Sequence, residues 1–440
     1  MGLRIHTVRE QLDNQKLPLG EEFQTHLGTE WRFKPNTSDG TKVALFARII
    51  KDENTGVTLV CDTSYFIGMV WLVPGRLAVH VEPKMNLPEG RIEVDYLAML
   101  EEALDEPENL KHLSGIQYCY TKEPCIPLKH EDTGIRLFLI AQFLAFVGRI
   151  RRRGLKRSFY DREERFVYGM KGRILLSKSL RSARTPALID HLSCSVQHFD
   201  VDTPANQYLK KALRETLLLL QSPVFNNELQ LTELARLGLK AFEAVSDVVD
   251  PSPVRIRRVN PVYRDYAEAL RLAELILSSS TLGHEATAGC TEIPPYWIDM
   301  SKLFELFVYR KLRRALCCEG RVEFQFGAKR QYLDYLCKAP NSSIPFFIAD
   351  AKYKPRYSDS SIHKDDLRQL AGYARLAEVE TTLRQDSWGW DSSSRLIPCV
   401  IIYPTLNKGA EEIDLTNGPK PIPGWTEFSK VEVTIPIKIL

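Results

Sequence analysis

The chain has 440 residues, 44% hydrophobic and 26% charged, so it has the composition of a folded protein and is too long for one ordinary core. A formal net charge of +3 excludes nucleic-acid binding through bulk basicity and restricts any such surface to local clusters. The nine cysteines include no Cys-x-x-Cys pair, which indicates reduced thiols in a cytoplasmic protein. The longest apolar run, Leu137 to Val147, is shorter than the roughly 20 residues that cross a bilayer, so no contact with a membrane is expected.

Hydrophobic periodicity divides the chain into three predicted domains. Residues 1–90 form a β-rich module, because short apolar or alternating runs are separated by turn signals such as Asp39-Gly40 and Pro74-Gly75. Residues 91–285 form a helical middle region, in which apolar residues recur with helical spacing. Residues 286–440 follow the order helix, strand, strand, helix, strand, which predicts a mixed sheet flanked by helices. The predicted fold class is a multidomain α+β protein.

Two aspartates occupy apolar strands that a short turn connects. Asp334 interrupts "QYLDYLCK", and Asp350 ends the apolar run "IPFFIAD". If the strands pair as a hairpin centred near Ser342, Asp334 falls opposite Asp350. Two ionised carboxylates repel each other at cross-strand distance unless a cation lies between them, and Mg²⁺ prefers such oxygen ligands. The hairpin therefore predicts a Mg²⁺ site.

Two further charged side chains are predicted to face this site. Lys352 lies two residues after Asp350 and so points from the same face of the strand, where its ammonium can orient water or offset charge on a phosphoryl oxygen. Glu305 lies at the margin of the apolar face of a helix predicted over Trp297 to Leu312, and it is expected to complete the metal ligands.

A helix predicted over His363 to Ala377 supplies two supporting candidates. Gln369 and Tyr373 are spaced four apart on one face, where they can contact a phosphate or position the lysine. Each element also has an ordinary interpretation: a capped strand end, a solvated lysine, or an exposed helix face. The joint pattern favours a metal site, and its order of elements is similar to that of PD-(D/E)xK nucleases. Basic residues beside the acids, Lys329, Arg330, Lys354 and Arg356, are candidates for holding DNA.

The chain as a whole resembles the McrC family, the nuclease subunits of McrBC-type restriction systems. The resemblance rests on "WIDMSKLFELFVYRKL" and "ADAKYK" in the last predicted domain, and on upstream segments in the same order: "VHVEPKM", "RGLKRSFY", "YGMKGRIL" and "DVDTPANQYLKKAL". Leu333 stands where the family usually has the proline before its first aspartate. This departure affects the backbone preference and no metal ligand.

The resemblance implies a Mg²⁺-dependent DNA endonuclease that docks through its β-rich module onto a hexameric McrB-like AAA+ GTPase and stimulates it. GTP would be used by that partner, which agrees with the absence of a Gly-x-x-x-x-Gly-Lys-Ser/Thr loop from this sequence. Two alternatives stay open at the level of sequence. The chain could act mainly as a non-catalytic assembly factor and activator of the GTPase, or as a stand-alone repair nuclease.

Overall fold

The computed structural model divides the chain into two compact units, residues 1–132 with 290–440, and residues 133–289. The described residues are 3–35, 42–52, 56–86, 92–104, 106, 108–109, 112, 116–120, 123–129, 133–182, 184, 190–222, 229–247, 264–283, 290–316, 320–328, 331–340, 344–354, 363–385, 396–407, 409–416 and 419–439. Among the described helices, none combines the length and the hydropathy that a membrane-spanning segment requires.

The amino-terminal part of the first unit consists mainly of strands, as its short apolar and alternating runs predict. Its elements, beside a 3-10 helix at Glu21–His26, are β1 (Arg4–Arg9), β2 (Gln15–Pro18), β3 (Glu30–Phe33), β4 (Leu45–Asp52), β5 (Gly56–Thr63), β6 (Phe66–Val73), β7 (Leu77–Glu82), β8 (Ile92–Val94), α1 (Tyr96–Leu104), β9 (Gln117–Cys119) and β10 (Ile126–Lys129).

The second unit combines helices with one sheet. Its elements are α2 (Thr133–Arg153), β11 (Ser158–Val167), β12 (Arg173–Ile174), α3 (Leu176–Ser182), β13 (His191–Asp200), α4 (Pro204–Leu220), α5 (Leu229–Ala241) and α6 (Arg264–Gly283). The predicted helical middle region contains strands as well as helices, because β11, β13 and β12 form an antiparallel sheet. None of the described side chains of β11 is buried, so its sequence, "SFYDREERFV", lacks the apolar alternation by which a half-buried strand is recognised.

The chain then returns to the first unit and forms a large mixed sheet with helices. Its elements are β14 (Cys290–Ile293), β15 (Tyr296–Asp299), α7 (Met300–Ala315), β16 (Arg321–Ala328), β17 (Gln331–Lys338), β18 (Phe346–Ala351), α8 (Lys364–Tyr373), α9 (Ala377–Leu383), β19 (Cys399–Thr405), β20 (Lys420–Pro421), β21 (Phe428–Thr434) and β22 (Ile437–Ile439). The six-stranded sheet has the order β16-β17-β18-β19-β21-β20. Strand β19 pairs in parallel with both β18 and β21, and the other neighbouring strands are antiparallel.

Helix α7 lies against this sheet and contacts β16 and β18. It begins at Met300 and not at Trp297, because residues 296–299 form β15 and the Asp299 carboxylate caps the helix by accepting a hydrogen bond from the Lys302 backbone N–H at 3.1 Å. The predicted apolar face is confirmed, since every one of its members is buried: Met300, Leu303, Phe304, Phe307, Val308 and Leu312. The apolar face fixes the rotation of α7 and with it the position of Glu305.

Strand β15 connects the two sequence-distant parts of the first unit. It pairs with β6 and β9 in the five-stranded sheet β1-β7-β6-β15-β9, and its Trp297 packs into the core between that sheet and the four-stranded sheet β2-β5-β4-β3. The compact units therefore divide the chain differently from the three predicted domains: residues before 90 and after 286 belong to one unit. The pairing is between strands far apart in sequence, which periodicity cannot reveal.

Replacing Gly68 with alanine is expected to lower the free energy of unfolding by about 2–3 kcal/mol. Gly68 has φ +153° and pairs with Trp297, and a Cβ atom there would lie 2.1 Å from the Tyr296 backbone oxygen. The close approach of β6 and β15 would have to open. Urea denaturation measures the effect. Gly372→Ala is the control, because a Cβ at that helical position meets nothing within 4 Å. Equal stability of the two variants would contradict the prediction.

Candidate functional site

The hairpin of β17 and β18 has the predicted register. Tyr335 pairs with Ala349 and Leu336 with Ile348, and continuing this register by one residue places Asp334 opposite Asp350. The Asp334 Oδ2 atom accepts a hydrogen bond of 2.9 Å from the Ala351 backbone N–H, which holds the carboxylate across the strand end. The two aspartates therefore meet at the point where β18 stops.

Lys352 is held directly beside this pair. Its Nζ atom lies 2.7 Å from Asp350 Oδ2 and donates a hydrogen bond of 3.1 Å to Gln369 Oε1. Gln369 in turn donates a hydrogen bond of 3.1 Å to the Tyr373 hydroxyl. The predicted supporting residues of α8 thus form a chain of contacts that orients the lysine.

A cavity of about 290 Å³ collects the predicted residues. Glu305 reaches it from α7, while the Tyr335 hydroxyl donates a hydrogen bond of 2.6 Å to the Glu305 backbone oxygen and ties that helix turn to β17. The lining residues are Gln11, Ser301, Glu305, Tyr332, Asp334, Asp350, Ala351, Lys352, Tyr353, Lys354, Asp366, Gln369 and Tyr373. Four carboxylates and two lysine side chains, from α7, β17, the end of β18 and α8, therefore line one space.

The carboxyl groups resist ionisation in this arrangement. Burial, followed by the charges of Asp350 and Glu305, raises the pKa of Asp334 well above its ordinary value, and burial likewise raises the pKa of Asp350. Burial and the charges of Asp299 and Asp350 raise the pKa of Glu305 to about 7. These groups repel each other as anions, so a cation or protons must accompany them.

Lys352 behaves in the opposite way. Burial, the largest single influence, favours the neutral amine, but the carboxylates of Asp350, Asp334 and Asp366 together outweigh it and raise the pKa of Lys352 above its ordinary value. The side chain is therefore an ammonium cation at neutral pH. A protonated lysine can donate hydrogen bonds and offset negative charge, and it cannot act as a general base.

The predicted DNA-binding residues have different outcomes. Lys329, Arg330 and Arg356 lie outside the described residues and stay predictions. Lys354 contacts the two carboxylate oxygens of Asp366 at 2.7 and 2.9 Å, so its charge is already paired inside the protein.

Sequence reasoning missed Asp366. It lies in α8 three residues before Gln369, and helical spacing on the same face as Gln369 and Tyr373 could have identified it. Gln11, at the amino-terminal end of the same compact unit, was also missed, and no local pattern marks it.

The acidic residues can be tested for their fit to a divalent metal ion. Asp350 Oδ2 is buried, and the Lys352 ammonium lies 2.7 Å from it. Within the described ranges, no group of three or more His, Cys, Asp or Glu side chains is arranged as a ready-made metal site. Mg²⁺ needs only one or two carboxylates, since it keeps several waters and takes phosphate oxygens. Asp334 and Asp350 meet that requirement.

Comparison with known proteins gives a family match over most of the chain. A family model described as "McrBC 5-methylcytosine restriction system component" matches residues 63–383. No curated protein matches the chain.

Two solved structures are similar to the chain at low sequence identity. One is a refined half-complex from a tetradecameric assembly of Thermococcus gammatolerans McrB AAA+ hexamers with bound McrC: 16% identity, TM-score 0.38, coverage 98% of this chain and 94% of that chain. The other is a cryo-EM structure of the Thermococcus gammatolerans McrBC complex: 15% identity, TM-score 0.28, coverage 71% of this chain and 88% of that chain.

Proposed function

Because the chain belongs to the family of McrBC 5-methylcytosine restriction system components, we propose that it is the DNA-cleaving subunit of such a system, a Mg²⁺-dependent PD-(D/E)xK endonuclease. One observation supports this proposal above the others. Lys352 is fixed between Asp350 and Gln369 at the rim of a cavity that Asp334 and Glu305 also line. This combination of clustered acids and a positioned cation suits the hydrolysis of a phosphodiester.

In the proposed reaction, water attacks the phosphorus and gives up a proton, while the bond from phosphorus to one sugar oxygen breaks and that oxygen takes up a proton. Asp334 and Asp350 would hold Mg²⁺, and Glu305 is the proposed third carboxylate. When bound, the metal would supply Lewis acidity toward the phosphate and the attacking water. The Lys352 ammonium donates hydrogen bonds to the attacking water or to a phosphate oxygen. Gln369, which Tyr373 contacts in turn, keeps the Lys352 ammonium directed toward the reacting phosphate.

The proposed partner is an AAA+ GTPase hexamer of the McrB kind. The family is described as a component of a restriction system, so further components are expected. In the solved Thermococcus gammatolerans assembly, McrC is bound to McrB AAA+ hexamers. This chain lacks a phosphate-cradling loop of its own, so GTP would be bound and hydrolysed by the partner.

Cleavage of supercoiled plasmid tests the proposed function. The purified chain is incubated with Mg²⁺, with and without the GTPase that accompanies it, in GTP or in a non-hydrolysable analogue. Cutting that requires Mg²⁺, partner and GTP supports the proposal. Stimulation of the GTPase without any cutting supports a non-catalytic activator, and cutting that is independent of the partner supports a stand-alone nuclease.

Tyr332 is expected to contact DNA beside the proposed site. Its side chain is 65% exposed, lines the cavity, and lies over its cross-strand partner Gly327, where a Cβ would come within 3.2 Å of the ring. A ring backed by glycine and open on its other side can stack on a base. Tyr332→Ala should weaken DNA binding by about 1–3 kcal/mol.

Fluorescence anisotropy with Ca²⁺ in place of Mg²⁺ measures this binding while cleavage is suppressed. Tyr332→Phe is the matched control, because it keeps the ring and removes only the hydroxyl. If Tyr332→Phe weakens binding as much as Tyr332→Ala does, the stacking role is wrong and the hydroxyl is the contact.

A further inference from the structure

A second group of charged residues lies at one end of the five-stranded sheet, in contact with Gln11 and Tyr353 of the cavity lining. Strands β1 and β7 pair in parallel, with Arg9 opposite Glu82, so both strands end at the same edge. Glu10 follows β1 and Lys84 follows β7 closely. The parallel pairing therefore places Glu10 and Lys84 side by side, although 74 residues separate them in sequence.

These two residues contact the segment that carries the proposed catalytic lysine. The Glu10 Oε1 atom accepts a hydrogen bond of 3.1 Å from the Lys84 backbone N–H. The Lys84 Nζ atom donates hydrogen bonds to Gln11 Oε1 at 2.7 Å and to the Tyr353 backbone oxygen at 2.5 Å. The same ammonium lies 4.4 Å from the centre of the Tyr353 ring, within the range of a cation–π contact.

The backbone around Tyr353 turns sharply after β18. The Lys352 N–H donates to the Ile402 oxygen at 2.8 Å, and the Lys354 N–H donates back to the Lys352 oxygen at 2.8 Å. The next carbonyl, that of Tyr353, is the one that Lys84 holds. Neighbouring strand β19 therefore fixes the backbone at Lys352, while Lys84 fixes it one residue later.

The cluster is costly in free energy. Glu10 is 1% exposed, and its carboxylate faces the buried hydroxyl of Tyr353. Burial raises the pKa of Glu10 to about 7 and lowers the pKa of Lys84 to about 8. Well-packed apolar residues in place of a buried pair are often as stable or more stable, so stability alone does not account for these charges.

We propose that Lys84, held by Glu10, is a positioning residue for the nuclease site: it fixes the Tyr353 backbone and thereby the direction in which Lys352 points. The inference rests on the proposed function. It assigns to the amino-terminal sheet a direct part in arranging the site, in the same compact unit. Lys84 does not touch the reacting atoms; it acts through Lys352.

Lys84→Met tests the proposal, because methionine keeps much of the apolar stem and removes the charge. The kcat for cleavage should fall about 10- to 100-fold with an unchanged KM, as for loss of a residue that orients a catalytic group. Lys16→Met is the matched control: Lys16 pairs with Asp52 at 3.1 Å, and its side chain is 60% exposed. It should cut like wild type.

A second readout does not depend on cleavage. Acetylation by an amine-reactive reagent, followed by mass spectrometry, reports how freely Lys352 reacts. In wild type its contacts with Asp350 and Gln369 should keep it slow, and in Lys84→Met its rate should rise several-fold. Lys311, 5% exposed and paired with Glu102, is the internal reference: its rate rises only if the whole protein loosens.

The outcomes separate the two proposals. If wild type never cuts, the proposed function fails, and the acetylation rates still decide whether Lys84 positions Lys352. Unchanged kcat and unchanged Lys352 acetylation in Lys84→Met overturn the positioning role, as does a rise that Lys311 shares. If Lys84→Met does not fold, Lys84→Gln, which keeps a hydrogen-bond donor, replaces it. Unchanged kcat and unchanged Lys352 acetylation in that variant overturn the positioning role in the same way.

Discussion

Replacing Lys352 with alanine is expected to lower the rate of DNA cleavage by at least about a hundredfold, the usual cost of losing one preorganised donor in a hydrolytic site. The ammonium is fixed by Asp350 at 2.7 Å and Gln369 at 3.1 Å, and its raised pKa keeps it charged at neutral pH. No other described cation of the cavity can replace it, because Lys354 is paired with Asp366. Single-turnover cleavage of a plasmid measures the loss.

Lys364→Ala is the matched control for this variant. Lys364 is an exposed lysine in the first turn of α8 and does not line the cavity. It should cleave like wild type, and both variants should stimulate the partner GTPase as wild type does. Wild-type cleavage by Lys352→Ala would exclude the proposed role of the lysine and favour the activator alternative.

Replacing Asp350 with asparagine is expected to abolish cleavage and to stabilise the metal-free protein at pH 8. Asp350 is 3% exposed and lies beside Asp334 and Glu305, whose charges repel it. Asparagine keeps the shape and removes one anion. Wild type should gain thermal stability on addition of Mg²⁺, and the variant should gain little, because one of the two proposed aspartate ligands is gone.

The pH dependence of this stability follows from the raised pKa values. Protonated carboxyls are favoured in the folded state, so their contribution is fully present below the ordinary pKa near 4.5 and is lost as pH rises through about 7, the pKa of Glu305. Metal-free wild type should therefore lose stability between about pH 4.5 and 7, and Mg²⁺ should restore it. Differential scanning calorimetry with and without Mg²⁺ measures both effects. An equal Mg²⁺ response in wild type and Asp350→Asn would exclude Asp350 as a metal ligand.

Local pattern predicted the parts of the site that lie close together in sequence. The hairpin register, the buried face of α7 and the four-residue spacing of Gln369 and Tyr373 all follow from alternation and helical periodicity. Asp366 could have been found in the same way. These features depend on which face of a helix or strand is apolar, and the spacing of apolar residues in a single sequence is enough to identify that face.

The missed features depend on contacts between distant segments. The pairing of β15 with β6 and the contact of Lys84 with Tyr353 join residues more than 200 positions apart, and no local period encodes them. Strand β11 was missed for a different reason: none of its described side chains is buried, so burial leaves no pattern in its sequence. The helix predicted to begin at Trp297 begins at Met300, because strand β15 runs directly into α7 with no turn residue between them to mark the boundary.

The pairing of β10 with β14 has a consequence for the engineering of this chain. Lys129, the last residue of β10, lies opposite Cys290, the first residue of β14, so the polypeptide leaves the first unit and re-enters it at adjacent points. Residues 133–289 are thus an insertion within the first unit. A short glycine-serine loop could replace them without pulling β10 and β14 apart. A segment inserted in this way can be exchanged or removed as one block, while the proposed nuclease site keeps the side chains that line it, since all of them belong to the first unit.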